Sequence, residues 1–337
     1  MARIFSGMRP TGRLHLGHLV GALENWVRFQ DSYETIFGIV DWHALTTGYS
    51  NTTDLQTHIR ETAADWLAAG IDPQKSIIML QSAVKEHAEL HLLFSMITPT
   101  PWLIRNPTLK EQAKDLGLVD GSDDQEMTKM DYGHLGYPVL QSADILVYKA
   151  DIVPVGEDQV PHIEICREIA RRFNFLFGER GFRFPEPQHK LTQTPRLPGT
   201  DGNMKMSKSL NNCIYLADDP DTIQSQVKKM VTDPKKVRKN DPGRPEVCSV
   251  FTYHGVFNGQ EVAEIEKTCR SGELGCVDCK KNLGEKIDRK LAPIRTRRNE
   301  LTSEPQNLDK ILLDGSDRAR AIASSTLKQV RKAMNLG

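Results

Sequence analysis

Short apolar runs alternate with helix-spaced apolar positions through the first half of the chain. This alternation predicts a parallel sheet built from β-α-β units. Residues 3–8 (Arg-Ile-Phe-Ser-Gly-Met) read as a strand that ends in a turn carrying Pro10 and Gly12. Leu19, Val20, Leu23, Trp26 and Val27 then recur at helical spacing. Residues 35–40 read as a buried strand, 54–69 as a helix capped by Gly70, 76–80 as a strand and 85–97 as a helix. From 99 to 137 the pattern breaks up into prolines and a polar stretch, which predicts an excursion from the sheet carrying mobile loops. Apolar character returns at 143–147 and 152–155. Residues 162–173 then form a helix with Ile163, Cys166 and Ile169 on one face. Beyond Leu216 the pattern is helical with no convincing strand. The reading is therefore an α/β segment, 1–214, followed by a helical segment, 215–337.

Composition narrows this picture only a little. A chain of 337 residues is long enough for about two domains, each with its own core. Its 44 basic and 44 acidic residues cancel. Global charge thus says nothing about nucleic acid, and any such contact has to rest on the local basic stretches 228–244 and 280–298. No run approaches the length of a membrane span, and the first residues lack the apolar core of a signal peptide. The expected compartment is the cytoplasm, where the six cysteines read as thiols or metal ligands rather than disulfides.

Two motifs carry chemistry. His15-Leu-Gly-His18 lies between the first strand and the helix that follows, where free N–H groups and the positive end of a helix attract phosphate. Gly17 leaves the backbone open to a flat base or ribose. The two imidazoles can donate hydrogen bonds to an α-phosphate as charge builds on it. Lys205-Met-Ser-Lys-Ser209 follows a loop rich in Gly199, Gly202 and Asn203. Flexible lysine point charges in such a loop suit a polyphosphate that must be held and then released. Either motif alone is weak. Together they are the pairing of the class I aminoacyl-tRNA synthetases, matched here without a substitution.

The stretch 137–174 resembles the bacterial tryptophanyl-tRNA synthetases in particular, through Tyr-Pro-Val-Leu-Gln-Ser-Ala-Asp-Ile-Leu-Val-Tyr, Asp-Ile-Val-Pro-Val-Gly-Glu-Asp-Gln, His-Ile-Glu and Arg-Arg-Phe-Asn. So do the opening Ile4-Phe-Ser-Gly and the segment Ile39-Val-Asp-Trp-His43. Tyrosyl enzymes share both motifs and the fold, but not these stretches. The resemblance implies a Rossmann-like catalytic domain over 1–214 and a helical anticodon-binding domain over 215–337. It implies that ATP, entering with Mg2+, L-tryptophan and tRNA(Trp) are the partners, in a homodimer whose interface includes the 99–137 region and adjoining helices.

Carried over by position, Asp144 is the carboxylate that accepts the indole N–H. Phe5, Gly7, His43, Val153 and Val155 wall the ring, while Tyr137, Gln141 and Gln159 hold the ammonium group. Gly156, Glu157 and Asp158 lie beneath the ATP ribose. Arg9, Thr11, Gly17 and His18, with Lys205, Met206, Ser207, Lys208 and Ser209, complete the ATP site. His15, His18, Lys205 and Lys208 are the expected catalytic groups. The chain departs from many relatives in three places. His18 stands for an asparagine, Arg9 for a glutamine, and Gln112 for a phosphate-binding lysine, leaving Lys110 or Lys114 as substitutes.

Cys248, Cys269, Cys276 and Cys279 form C-x20-C-x6-C-x2-C in the helical segment, whereas Cys166 and Cys213 read as buried core thiols. All-sulfur ligation in a reducing compartment points to zinc or an iron–sulfur cluster, free thiols being the third alternative. Structural zinc usually takes two close pairs, and only 276/279 is one. A subset of bacterial tryptophanyl-tRNA synthetases carries a [4Fe–4S] cluster on a similar spacing. The resemblance therefore implies that cluster here, tying a loop to the helical domain near Lys280 and Lys281.

Overall fold

The computed structural model describes residues 1–336 apart from 122, 192–196, 204 and 205, and the backbone alone at 209. Five parallel strands form one sheet in the order β3-β2-β1-β4-β5, with β1 at Arg3–Met8, β2 at Glu34–Ile39, β3 at Ser76–Leu80, β4 at Ile152–Val155 and β5 at Gln188–Leu191. Strands β1 and β3 fall on the residues expected, and β2 starts one residue early. The expectation did not include β5. It is a short edge strand of Gln, His, Lys and Leu, with no apolar run to signal it, held by pairing with β4 from Ile152↔Gln188 to Val155↔Leu191.

Successive side chains of the central strands enter opposite cores, as a pleated sheet requires. Phe5, Ile36, Ile77 and Met79 join one apolar cluster, while Phe37, Ile39 and Ile78 join the other. Both faces are covered, which is why these strands read as near-continuous apolar runs.

Two segments differ from the sequence reading. Residues 99–137 are largely helical, with short helices at Thr100–Ile104, Pro107–Asp115, Asp124–Met127 and Tyr132–Leu135 rather than loops. Asn106 and Asp123 cap two of them by accepting from Leu109 N (3.0 Å) and Glu126 N (2.8 Å), and Leu103, Leu109 and Met127 anchor them in the first core. The apolar run at 143–147 belongs to a helix, Tyr137–Leu146, buried at every position except Gln141. A helix buried on nearly all sides presents no exposed polar face to mark it.

The helical residues after 214 share both cores with the sheet. Ile223, Tyr253, Leu283 and Ile287 pack with Trp26, Phe37 and Trp66. The last helix, Pro305–Ala333, adds Ala319, Ala323, Leu327 and Val330 to the first core and lies on β3. Ser316 Oγ accepts from Leu80 N at 3.1 Å, and a Cβ at Gly315 would stand 1.8 Å from the Ile78 carbonyl oxygen. Among the described residues no helix is long and apolar enough to cross a membrane.

Candidate active site

Strand order reverses beside β1, whose neighbours β2 and β4 are reached by crossovers in opposite directions, so a crevice opens at the carboxyl ends of β1 and β4. A cavity of about 400 Å³ sits there, within the range of small-molecule sites. Of the residues singled out from the sequence, Phe5, Gly7, Arg9, His43, Gln141, Asp144, Val153, Val155, Gly156 and Gln159 line it. Tyr137 is not on the wall, but its hydroxyl donates to Gln112 Oε1 at 2.8 Å, and Gln112 is. Trp26, Val40, Ile145 and the small residues Gly21 and Ala22 also line the cavity and were not foreseen. Gly21 and Ala22 arrive through a π-helical turn, Leu19–Leu23, that interrupts the helical run 16–29. Sequence periodicity does not register one inserted residue in a helix.

Asp144 is 1% exposed and lines this cavity. His43 Nε2 meets its Oδ2 at 2.9 Å, His87 Nδ1 meets its Oδ1 at 2.6 Å, and Gln81 Nε2 donates to both oxygens at 2.8 and 2.9 Å. Burial pushes the carboxyl up, but the His87 ring beside it and the hydrogen bonds from His43 and His87 outweigh that and hold it at about 2. Asp144 is thus an ionised acceptor in an apolar wall. Gln81 and His87 were missed because neither belongs to a motif.

His15 and His18 wrap the helix start that Gly17 permits. His15 Nδ1 accepts from Gly17 N at 3.2 Å and His18 Nδ1 from His15 N at 3.3 Å, a reciprocal cap. A Cβ on Gly17 would stand 3.0 Å from the His15 ring. With each Nδ1 accepting, the ring proton belongs on Nε2, which remains as a donor. Burial lowers His15 to about 4 and His18 to about 3, aided by Lys208 and, for His18, by His15. Both rings are therefore neutral at physiological pH.

Residues 14–16 pair with 214–216: Leu16 N donates to Ile214 O at 2.9 Å and Leu216 N to Leu14 O at 3.0 Å. This ladder brings the second motif beside the first. Met206 is buried, and its sulfur would stand 3.9 Å from a Cβ on Gly17. Ser207 N donates to Asn212 Oδ1 at 2.7 Å. Lys208 Nζ reaches back to the carbonyl oxygen of Thr11 (2.9 Å) and its Oγ1 (3.3 Å), and burial lowers its pKa. Lys205 and the Ser209 side chain lie outside the described residues. Glu157 and Asp158 form a single turn after β4, where Asp158 Oδ2 accepts from Gln159 Nε2 at 2.8 Å. Of the two substitute lysines, Lys110 is paired with Asp124 at 2.7 Å.

A deeper link ties the first motif to the helical segment. Leu14 N donates to Asp65 Oδ2 at 2.7 Å, and Asp65 Oδ1 accepts from Arg298 Nε at 2.7 Å. Both charged side chains are buried, Asp65 fully, and Glu61 also holds Arg298.

The four cysteines converge. Cys248, Cys269, Cys276 and Cys279 line one narrow apolar cavity with Val250, Phe251, Ile265 and Leu274. Burial, with the neighbouring thiols, raises Cys279 to about 12, and burial raises Cys269 as well. Among the described residues, no three Cys, His, Asp or Glu are grouped closely enough for one metal ion. Lys236 also lines the cavity, its ammonium bonded to the carbonyl oxygens of Lys239 (3.0 Å) and Asp241. Cys166 and Cys213 are core thiols, as expected.

A family profile described as tRNA synthetases class I (W and Y) matches residues 1–292. The chain is 50% identical to a tryptophan–tRNA ligase of Thermotoga maritima over 99% of both chains, and 47% identical to one of Aquifex aeolicus over 99% of this chain and all of that one. In three dimensions it is similar to the tryptophanyl-tRNA synthetase of Campylobacter jejuni solved with ADP and tryptophan. That match has a TM-score of 0.86 and 32% identity, and it covers 99% of this chain and all of the other. On the profile, the identities and their full-length coverage, the chain belongs to the tryptophanyl-tRNA synthetases, the class I tryptophan–tRNA ligases.

Proposed function

We propose that this chain activates L-tryptophan with magnesium-bound ATP and transfers it to tRNA(Trp). The observation that carries this reading is the buried, ionised Asp144 in the wall of the cavity at the carboxyl ends of β1 and β4. An indole N–H can replace the cavity-facing His43 as donor to Asp144 Oδ2, whereas a phenyl side chain brings no donor to that oxygen. Hydrogen-bonding sites of this kind reject such analogues by roughly 10⁴–10⁵. The tryptophan carboxylate attacks the α-phosphorus and magnesium pyrophosphate leaves; a ribose hydroxyl of the 3′-terminal adenosine then attacks the carbonyl carbon of the adenylate, forming the tryptophanyl ester and releasing AMP. His15 and His18 donate from Nε2 to the α-phosphate and ribose side. Lys208, with Lys205, neutralises the leaving pyrophosphate once it releases Thr11. The protein contributes position and charge rather than covalent steps. Amino-acid-dependent ATP–pyrophosphate exchange across the twenty amino acids tests the reading. Tryptophan alone should support exchange, and exchange with tyrosine instead would overturn it.

The helical segment 215–337 serves as the anticodon-binding part in this reading, with Lys280 and Lys281 on its surface. Exposed Leu92, Met96, Leu116 and Leu118 on and beside the 99–137 region support a homodimer through that face. A monomeric mass at micromolar concentration in sedimentation would remove that element. Protein synthesis places the enzyme in the cytoplasm.

Four cysteines lining one cavity support a [4Fe–4S] cluster as the reading, with zinc as the alternative. Structural zinc usually takes two close cysteine pairs, and of these four only Cys276 and Cys279 are a close pair. Lys236 adds a positive charge beside ligands that bind as thiolates. Cys248, Cys269, Cys276 and Cys279 would hold the cluster, which supplies a covalent tie among the helical elements. Protein purified without oxygen should be brown and contain about four irons per chain. A colourless preparation free of iron sets the cluster aside, and stoichiometric zinc in its place would establish the alternative.

A further inference from the structure

Three donors converge on Asp144, yet only His43 shares the cavity wall with it; Gln81 and His87 lie behind. His87 is fully buried and is bonded at both ring nitrogens, to Asp144 Oδ1 through Nδ1 and to the Tyr148 hydroxyl through Nε2, each at 2.6 Å. A carboxylate can only accept, so the ring proton on Nδ1 must face Asp144. The Tyr148 hydroxyl, kept protonated by burial, meets Nε2 and holds the ring from its other side. Tyr148 is in turn stacked on Phe5 of the cavity wall, centroids 5.5 Å apart. Gln81 completes the clamp, its Oε1 accepting from the backbone N–H groups of Trp42 and His43 at 3.1 and 3.4 Å.

We propose that His87, locked by Tyr148, is a positioning residue for amino-acid selection. It keeps Asp144 ionised and holds Oδ1 in place, so that Oδ2 is the edge offered to an incoming N–H. His43, the cavity-facing donor, yields its place on Oδ2 to the indole, while His87 keeps its grip on Oδ1 and Gln81 spans both oxygens. The ring never touches substrate. Its work is to prevent the carboxylate from rotating or taking a proton when its outer partner changes. This inference rests on the reading that Asp144 receives the indole N–H.

The test compares tryptophan with the analogue in which sulfur replaces the indole N–H, using kcat/KM in ATP–pyrophosphate exchange. The wild-type protein should strongly prefer tryptophan. His87→Ala should shrink that preference by roughly 10- to 100-fold, mostly through the KM for tryptophan, with the sulfur analogue little changed. His87→Asn places an amide N–H where Nδ1 stood and should restore most of the preference. Tyr148→Phe should shrink it by less than His87→Ala. A purely structural role would lower both substrates alike, and an unchanged ratio in His87→Ala and Tyr148→Phe overturns the proposal. If His87→Ala fails to fold, Tyr148→Phe and His87→Asn decide the matter on the same ratio. A wild-type protein that shows no preference overturns the Asp144 reading itself, which separates the two failures.

Discussion

Replacing His18 by alanine is expected to lower tryptophan-dependent ATP–pyrophosphate exchange by roughly 100- to 1,000-fold, the usual cost of one donor to a charge-developing transition state. Tryptophan binding, followed by fluorescence, should change only a few-fold, because His18 is not on the wall that holds the ring. Lys208→Ala should behave in the same way. His18→Asn should keep most of the activity: an amide offers an acceptor toward His15 N and a donor beyond it, as the neutral imidazole does. The loss in His18→Ala should be the same at pH 6 and pH 8. With a folded pKa near 3, lowered from 6.5 chiefly by burial, His18 is already neutral across that window. Equal losses of exchange and of tryptophan binding would contradict the assignment.

The second large effect concerns Arg298. Arg298→Met should destabilise the fold by about 3–5 kcal/mol, because it strands a buried carboxylate rather than removing a solvated ion pair. Burial already raises Asp65, and Arg298 is its chief counterweight. Without Arg298 the carboxyl pKa climbs further, and the folded state holds a proton that the unfolded chain releases near pH 4. Stability conferred by a raised folded pKa is lost as pH rises. The variant should therefore melt at a higher temperature at pH 6 than at pH 8, relative to the parent. Asp65→Leu combined with Arg298→Met should recover part of the loss. Urea denaturation of the four proteins forms the cycle, and additive single effects would show the pair to be uncoupled. Since Asp65 also holds Leu14 N, the single variant should lose exchange activity in proportion to the disturbance of residues 14–16.

Much of this architecture was legible in the residues. Strands buried on both faces announce themselves by apolar runs, so β1, β2 and β3 fell within a residue of expectation. His15-Leu-Gly-His18 and the Lys205 motif named the chemistry because each is a short run whose residue types and spacing along the chain are themselves the signal. What stayed hidden has a physical reason in each case. Strand β5 exists through pairing with β4, and its own four residues carry no apolar signal. The helix Tyr137–Leu146 is buried on nearly all sides, so it has no exposed polar face to mark it. Gln81 and His87 act on a residue 63 and 57 positions away, and no spacing along the chain marks that meeting. Arg298 is farther still from Asp65, by 233 positions.

The seat of the last helix on β3 bears on how the molecule is made. A ribosome extends a chain by roughly 5–20 residues per second, and early segments begin to fold while later ones are still being added. Here the face of the sheet that Ala319, Ala323 and Leu327 cover remains open until residues 305–333 have emerged. Synthesis that stalls before that point leaves Ile77 and Met79 without their cover, a nascent product fit for chaperones and proteases rather than a half-working ligase. The cover of the catalytic sheet on that face is thus complete only with the helix farthest along the chain from His15.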